Sequence, residues 1–205
     1  QIENKIEQIG YPVIVKASAG GGGRGMRVVN KRDELWDAII GAQNEAKVAF
    51  GNDEVFIEKY LKKPRHIEIQ IFGDGKGRVV HLYSRDCSLQ RKYQKIIEEA
   101  PAKNLNQEKL SEIQNICVAA CSELKYKGAG TLEFLYEDNE FYFIEMNTRI
   151  QVEHTVTEMI TGVDLVQAQL LLALEDKFDL DQEKLKINCH AMQCRINAED
   201  PKTFI

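Results

Sequence analysis

Polar side chains that could bind or react alternate along residues 141–154. From Glu145 to Glu153 every second residue is polar, in the order Glu145, Asn147, Arg149, Gln151 and Glu153. Because side chains in an extended chain point alternately to opposite faces, carboxylate, amide and guanidinium groups share one face. Solvated edge strands are usually rich in Lys and Thr, whereas this face offers acceptors for cations, a fork donor for anions and a possible base. We therefore predict a site. A straight strand would separate Glu145 from Glu153 by about 26 Å, so the segment must bend if both residues belong to the same site.

A glycine-rich stretch, residues 19–25, holds five of the chain's 14 glycines. Backbone N–H groups in such a loop can approach a phosphate closely. A Rossmann turn would have to open a helix, but residues 26–30 favour a strand, and a P-loop would need Lys and Ser or Thr where Met26 and Arg27 stand. We predict a glycine hairpin between two strands, with Lys16 on the first strand able to reach a phosphate.

Composition limits the class of protein. The 205 residues are 43% hydrophobic with a formal net charge of −5, which suits one large or two small domains and argues against a nucleic-acid partner. No apolar run could span a bilayer and no secretory signal opens the chain, so we expect a cytoplasmic protein without a membrane partner. The five cysteines form no CxxC pair, and we expect buried thiols instead of disulfides or a zinc site.

The hydrophobic pattern predicts an α+β fold in two parts. We expect a subdomain over residues 1–61 and a larger one over residues 62–205, joined by the linker around residues 62–65. In the first, a helix over residues 33–50 would bury Leu35, Trp36, Ile39, Ile40, Ala46 and Val48. In the second, we expect hairpins, a helix over residues 107–126 and a central apolar helix over residues 163–174. The polar residues 84–95 have the composition of a solvated loop.

Glu133 and Glu145 lie on the two strands of a predicted hairpin. Both can bind one cation only in the register in which Glu133 faces Glu145. We therefore predict a three-residue connection, residues 138–140, or a bulge beside it. Two opposed carboxylates repel each other, and a divalent cation would relieve the repulsion.

Seven motifs, in order, resemble those of the biotin carboxylase component of biotin-dependent carboxylases, within the ATP-grasp superfamily. They are Lys16 with the glycine loop, residues 56–61 (FIEKYL), 64–70 (PRHIEIQ), 85–90 (RDCSLQ), 99–101 (EAP), 143–154 (FIEMNTRIQVEH) and 194–201 (CRINAEDP). The resemblance covers essentially the whole chain. It implies an ATP-grasp fold, with a small glycine-loop lid subdomain over residues 1–61 and a larger mixed or antiparallel catalytic core over residues 62–205.

The resemblance also implies a ligase that carboxylates biotin with bicarbonate at the expense of ATP, through carboxyphosphate, as in fatty acid biosynthesis. Partners would be ATP, bicarbonate, Mg²⁺ or Mn²⁺ at two sites, biotin on a carrier protein, and a carboxyltransferase component. The implied ATP-binding residues are Lys16, Gly22, Gly23, Glu58, Lys59, Tyr60, Leu61, His66, Gln90, Tyr93, Glu133 and Glu145. Metal would be held by Glu133, Glu145 and Asn147.

The same resemblance assigns catalytic roles to Lys95, Arg149, Glu153 and Arg195. Bicarbonate would be bound by Lys95, Arg149, Gln151, Val152 and Glu153. Glu153 would act as the base, and Arg195 would bind biotin and stabilise its enolate. Tyr93 stands where the family more often carries histidine.

Two other functions are compatible with parts of this pattern. One is another ATP-grasp ligase, such as a carbamoyl phosphate synthetase; the other is a nucleotide-binding module without catalysis. The family extends beyond both ends of this chain, so we expect the isolated chain to turn over ATP poorly or not at all.

Overall fold

The computed structural model describes residues 2–19, 25–91, 93–200 and 202–203, and only the backbone of residues 2–4. The chain divides into two compact units, Gln1–Lys63 and Pro64–Ile205. Gly22 and Gly23, predicted to bind ATP, lie outside the described residues.

The first unit is a three-stranded antiparallel sheet packed against helices. Strand β1 lies in the middle, in the order β2-β1-β3. β1 pairs with β2 so that Lys16 opposes Met26, which confirms the hairpin predicted on either side of the glycine-rich stretch. The bounds of its elements are α1 Ile2–Ile9, β1 Val13–Ala17, β2 Met26–Val29, a 3₁₀ turn Arg32–Glu34, α2 Leu35–Phe50 and β3 Val55–Lys59.

Helix α2 packs one narrow stripe against this sheet. Its buried residues are Leu35, Ile39, Ala42 and Ala46, spaced at three and four residues as an amphipathic helix requires. Three residues that we predicted to be buried lie outside the stripe and are exposed: Trp36, Ile40 and Val48. The prediction counted apolar residues without regard to their angle around the helix.

The second unit is built on a six-stranded sheet in the order β8-β7-β4-β5-β6-β9. All pairings among its described strands are antiparallel. The bounds of its elements are β4 Arg65–Asp74, β5 Val79–Arg91, β6 Gln94–Ala100, α3 Gln107–Glu123, β7 Lys127–Glu137, β8 Glu140–Asn147, α4 His154–Thr161, α5 Leu165–Glu175 and β9 Ala191–Cys194.

Strand β4 separates an apolar face from a polar one. Ile67, Ile69 and Ile71 are fully buried in a core cluster with the apolar side of α3. The residues between them, Glu68 and Gln70, are equally buried but polar. Because alternate side chains point to opposite faces, β4 buries hydrophobic residues on one side and places ionic groups on the other.

Three expectations about this unit are wrong. Residues 84–91 are strand, not solvated loop, and Arg85 is completely buried; composition suggested a loop because the polar partners of these residues lie on other strands. Helix α5 buries only Leu165 and Leu172 instead of packing centrally. Cys189 and Cys194 are exposed, whereas Cys87, Cys117 and Cys121 are buried thiols as expected.

No single helix among the described residues has the length and hydrophobicity to cross a membrane, although α4 and α5, bent by 92° at their junction, pass the same test as a pair.

Candidate functional site

A row of four charged residues crosses the sheet of the second unit. Arg85 on β5 opposes Glu68 on β4, Glu68 opposes Glu133 on β7, and Glu133 opposes Glu145 on β8. Directly opposed residues of antiparallel strands project to the same face. The register therefore places one cation and three carboxylates in line on the polar face.

The β7–β8 hairpin sets the last pair of this row. Glu133 opposes Glu145, which confirms the predicted register. The predicted three-residue connection is wrong: Glu137 pairs with Glu140, so the turn contains only Asp138 and Asn139, both with positive φ. The alternative, a bulge, is present but does not lie beside the turn. The register shift lies between the Glu133 and Phe134 pairs, some distance from the turn. A bulge inserts one unpaired residue into a strand, so the residues beyond it point to the opposite face. A bulge in the middle of the strand therefore produces the register that we expected the turn to produce.

The Lys95 ammonium group lies at the meeting point of three carboxylates. Its Nζ donates to Glu68 Oε1, to Glu133 Oε1 at 2.8 Å and to Glu153 Oε1 at 2.7 Å. An ammonium group has three N–H donors, and each has one carboxylate partner here. Burial opposes the charge on Lys95, but the neighbouring carboxylates outweigh it and raise its pKa, so Lys95 is a cation at neutral pH.

Glu133 is buried, with 4% of its surface exposed. Besides Lys95, its Oε1 accepts from Asn147 Nδ2 at 2.9 Å and from Gln151 Nε2 at 2.8 Å. Burial alone would raise the pKa of Glu133, but contacts with His66 and Lys95 lower it to about 2. Glu133 is therefore an anion throughout the physiological range.

His66 is part of the same charge cluster and not the ordinary surface histidine that its sequence context suggests. Its Nε2 lies 2.8 Å from Glu133 Oε2 and 3.5 Å from Glu68 Oε1, within ion-pair distance of both carboxylates. Burial lowers the pKa of His66, but these two carboxylates outweigh it and raise the pKa to about 9. Gln90 Nε2 lies 3.1 Å from Nδ1 of the ring and donates to the Cys87 carbonyl.

Glu153 and Arg195, both predicted to be catalytic, are in contact. Arg195 Nη2 donates to Glu153 Oε2 at 3.0 Å, and its Nε donates to Glu98 Oε1 at 2.6 Å. Glu153 is 2% exposed, so its two carboxylate oxygens are shared between Lys95 and Arg195. The predicted base and the predicted biotin-binding group are adjacent.

The segment between Asn147 and Glu153 bends as the sequence requires. Strand β8 ends at Asn147, and Glu153 is the N-cap residue of α4. Arg149 lies on this segment and is exposed; its Nη2 donates to Asn147 Oδ1 at 3.2 Å. Val152 is 60% exposed. Of the predicted bicarbonate group, Lys95 donates directly to Glu153, and Lys95 and Gln151 both donate to Glu133. Arg149 reaches the cluster through Asn147.

The predicted ATP-binding residues of the first unit have their own environment. Lys16 on β1 forms an ion pair with Glu58 on β3. Glu58 and Lys59 are exposed and Leu61 is buried. The Tyr60 N–H donates to the Pro12 carbonyl at 3.1 Å, which continues the β1–β3 pairing. In the second unit, Tyr93 lies in the β5–β6 turn with φ 64° and 68% exposure.

The residues predicted to hold a metal offer suitable donors. Mg²⁺ and Mn²⁺ bind oxygen ligands and in nucleotide sites take one or two carboxylates. Glu133 and Glu145 are opposed carboxylates, the first buried and the second exposed. Asn147 fits less simply, because its Nδ2 donates to Glu133 and its Oδ1 accepts from Arg149.

Sequence reasoning missed three charged residues of this cluster: Glu68, Arg85 and Glu98. All three are 0% exposed. The strict alternation of Glu68 with isoleucines was a signal, since a carboxylate beside three buried residues on one strand needs a partner. Its partner, Arg85, is found only through the strand register.

The fold, with its antiparallel sheets, is that of an ATP-grasp domain. The chain belongs to the family described as "Carbamoyl-phosphate synthase L chain, ATP binding domain", whose model matches residues 2–181.

Within that family the chain is homologous to biotin carboxylases. It is 59% identical over 199 residues to biotin carboxylase of Haemophilus influenzae and 56% identical over 198 residues to that of Pseudomonas aeruginosa. Each match covers 97% of this chain and 44% of the relative. The chain thus spans less than half the length of these relatives.

Solved structures agree. The crystal structure of a biotin carboxylase-beta-gamma-ATP complex from Campylobacter jejuni has a TM-score of 0.88 at 50% identity, over 97% of this chain and 45% of the other. The biotin carboxylase domain dimer of Hydrogenobacter thermophilus 2-oxoglutarate carboxylase, in complex with MgADP, ADP and bicarbonate, also has a TM-score of 0.88, at 48% identity over 98% of this chain and 45% of the other.

Proposed function

We propose that this chain is the ATP-binding core of a biotin carboxylase, which carboxylates biotin with bicarbonate and ATP through carboxyphosphate in a protein of its relatives' length. The observation that carries the proposal is the Lys95 ammonium group shared by Glu68, Glu133 and Glu153. One cation thereby links a carboxylate suited to metal and nucleotide with a carboxylate suited to act as a base.

The site's own groups account for bicarbonate binding. An anion that replaces one carboxylate partner of Lys95 meets the ammonium group and the neighbouring Gln151 amide, and the exposed Arg149 adds a fork donor. Glu153 accepts the bicarbonate proton, because Glu68 is also held by Arg85 and Glu133 by Asn147 and Gln151, which leaves Glu153 as the carboxylate beside Lys95 that is suited to act as a base. The deprotonated oxygen then attacks the γ-phosphorus of ATP, and the bond to ADP breaks to give carboxyphosphate.

Biotin is activated on the other side of Glu153. Arg195 leaves Glu153 and donates to the ureido oxygen of biotin, where negative charge develops as the ring nitrogen loses its proton to the phosphate released from carboxyphosphate. The nitrogen then attacks the carbon dioxide released in the same breakdown, which gives carboxybiotin and inorganic phosphate. Glu133 and Glu145, with Asn147 beside them, would hold a divalent cation, and that ion would neutralise phosphate charge when nucleotide is present. We propose Mg²⁺ or Mn²⁺ for this role.

The proposal extends to the parts of the chain that surround the site. Residues 1–61 act as the glycine-loop lid and residues 62–205 as the catalytic core. Nucleotide binding uses Lys16, Gly22, Gly23, Glu58, Lys59, Tyr60, Leu61, His66, Gln90 and Tyr93. A biotinylated carrier and a carboxyltransferase component are the partners, in the cytoplasm.

The test measures ATP cleavage by the longer protein that carries this chain, with and without free biotin. The variants are Lys95→Gln and, as a control, Lys103→Gln, an exposed lysine that follows β6. We expect biotin and bicarbonate to stimulate cleavage in the wild type and in the control but not in Lys95→Gln. Cleavage that biotin does not stimulate would favour another ATP-grasp ligase, and ATP binding without cleavage would favour a non-catalytic module.

A further inference from the structure

Arg85 is the largest fully buried side chain among the described residues. It lies in the middle of strand β5, directly opposite Glu68. It belongs to none of the groups assigned above to ATP, metal, bicarbonate or biotin. A buried guanidinium group is costly unless all its donors have partners. The hydrogen-bond partners of Arg85 therefore indicate its role.

All five N–H donors of Arg85 have acceptors. The Nε donates to Glu68 Oε2 at 2.9 Å. The Nη1 donates to Gln70 Oε1 at 2.6 Å and to Thr157 Oγ1 at 2.9 Å. The Nη2 donates to Thr131 Oγ1 at 3.1 Å and to Gln151 Oε1 at 3.4 Å. One side chain thereby connects β4, β7, the segment before α4, and α4 itself.

The contact with Gln151 determines which way that amide points. Arg85 has only donors, so it takes the Gln151 oxygen and leaves the Nε2 group to donate elsewhere. That group donates to Glu133 Oε1 at 2.8 Å. If the Gln151 amide were reversed, its N–H groups would face the Arg85 guanidinium and its carbonyl oxygen would face the Glu133 carboxylate. Arg85 therefore excludes the reversed orientation.

The contact with Glu68 has a parallel effect on Lys95. Arg85 occupies Glu68 Oε2, and the other carboxylate oxygen accepts from Lys95. Burial alone would raise the pKa of Glu68, but the charge of Arg85 and the other cations lowers it well below its ordinary range. Glu68 thus remains an anion, and its contact with Lys95 holds the ammonium group in place.

We infer that Arg85 is a positioning residue that fixes the two anion-binding donors of the site, the Gln151 amide and, through Glu68, the Lys95 ammonium group. This inference rests on the proposed function. A purely structural Arg85 would stabilise the core without affecting how the site treats an anion. The Michaelis constant for bicarbonate distinguishes the two roles, because only a positioning role of Arg85 would change it.

Helix α4 supplies a matched pair of variants. Thr157→Val removes one acceptor of Arg85, whereas Thr161→Val, one turn later, removes a hydroxyl that donates to the Thr157 carbonyl. Both threonines are buried, so both variants lose a buried hydroxyl, and only the first loses a contact with Arg85. Arg85→Lys keeps the charge and loses the fork.

The steady-state assay uses the longer protein that carries this chain. Loss of an outer-shell contact costs about 10-fold or more in comparable sites, so we expect Arg85→Lys to raise the KM for bicarbonate by about that factor. Thr157→Val should raise it by a smaller factor, Thr161→Val should leave it unchanged, and the KM for ATP should stay constant in all three. An unchanged KM for bicarbonate in Arg85→Lys and Thr157→Val would overturn the inference. If Arg85→Lys does not fold, the two threonine variants decide.

A second readout does not depend on activity. In the 205-residue chain, the side-chain amide signals of Gln151 in a ¹⁵N-edited NMR spectrum report how that group is held. We expect them to shift in Arg85→Lys and Thr157→Val and to stay in place in Thr161→Val. Unchanged signals in the first two variants would overturn the inference. Absence of biotin-stimulated ATP cleavage in the wild type would instead overturn the proposed function, and the amide signals would still decide whether Arg85 orients Gln151.

Discussion

Glu133 and Glu145 face each other across strands β7 and β8, yet Glu133 is buried within a set of donors and Glu145 is exposed. Opposed carboxylates destabilise a strand pair. Lys95, Asn147 and Gln151 compensate the charge of Glu133 from within the protein. Glu145 thus remains available to a cation that arrives with the nucleotide.

The first prediction concerns Glu145→Gln. Since the amide is a much weaker ligand for Mg²⁺ than the carboxylate, we expect this variant to bind MgATP more weakly by at least about 10-fold, or about 1.4 kcal/mol. Binding of ATP in EDTA should change by less than a factor of two. Isothermal titration in both conditions measures this.

The control for that prediction is Glu140→Gln, which removes an exposed carboxylate at the start of the same strand. It should leave both affinities unchanged. Equal losses with and without metal in Glu145→Gln would show that Glu145 is not a metal ligand.

The second prediction compares the stability of the Glu133→Gln and Glu145→Gln variants in the absence of ligands. Glu133→Gln weakens the contacts with His66, Asn147 and Gln151 and leaves Lys95 short of one anion, so we expect it to lower the free energy of unfolding by about 2–3 kcal/mol. Glu145→Gln should change it by less than about 0.5 kcal/mol, as exposed substitutions do. Urea denaturation measures both; a similar loss in the two variants would contradict the asymmetry between them.

The β7–β8 hairpin also shows what could and could not be predicted from the sequence. That Glu133 must face Glu145 followed from chemistry, and the structure agrees. How the chain achieves this did not follow, because a two-residue turn with a bulge further along satisfies the same requirement as a three-residue turn. Turn residues such as Asp138 and Asn139 suit both.

The third prediction concerns helix α5, whose largely apolar sequence led us to expect central packing. Leu172 is 2% exposed and belongs to a core cluster, whereas Leu174 is 82% exposed. We expect Leu172→Ala to lower the free energy of unfolding by about 2–5 kcal/mol through loss of burial and a residual cavity. Leu174→Ala should change it by less than about 0.5 kcal/mol. Equal effects in thermal or urea unfolding would mean that the helix is packed differently.

The fourth prediction tests a structural carboxylate by its pH dependence. Asp74 is buried and accepts from the backbone N–H groups of Lys76 and Arg78 and from the Arg78 side chain. Burial raises its pKa, but these hydrogen bonds outweigh it, so the pKa lies below its ordinary value. A group of this kind stabilises the fold fully above its unfolded pKa, near 3.9, and loses that effect as the pH falls through the folded pKa.

Asp74→Asn should therefore lower the free energy of unfolding by about 1–3 kcal/mol at pH 6, and the difference from the wild type should shrink below about pH 4. Asp176→Asn is the control, because Asp176 also forms an ion pair with a lysine of this turn but is exposed. It should leave the free energy of unfolding essentially unchanged. A difference for Asp74→Asn that stays constant down to pH 3 would contradict this account of the turn.

Local patterns thus predict strands, helices and the residues that could react, because those depend on spacing within one segment. The ionic cluster around Lys95 depends on which strands are neighbours. Glu68 and Arg85 are 17 positions apart, and Arg85 and Thr157 are 72 apart. Nothing in residues 84–91 alone indicates that Arg85 is buried, since a run of polar residues has the same composition in a loop and in a strand whose partners are charged.

The measurement that most directly tests the central claim is transfer of isotope-labelled carbon from bicarbonate to biotin. It uses the longer protein that carries this chain, supplied with ATP, Mg²⁺ and free biotin, as wild type and as Glu153→Gln. The account predicts ATP-dependent labelling of biotin in the wild type and a loss of about 100-fold or more in Glu153→Gln, since removal of a positioned base costs 10²–10⁴. Undiminished labelling in Glu153→Gln, or ATP cleavage in the wild type with no label on biotin, would contradict it.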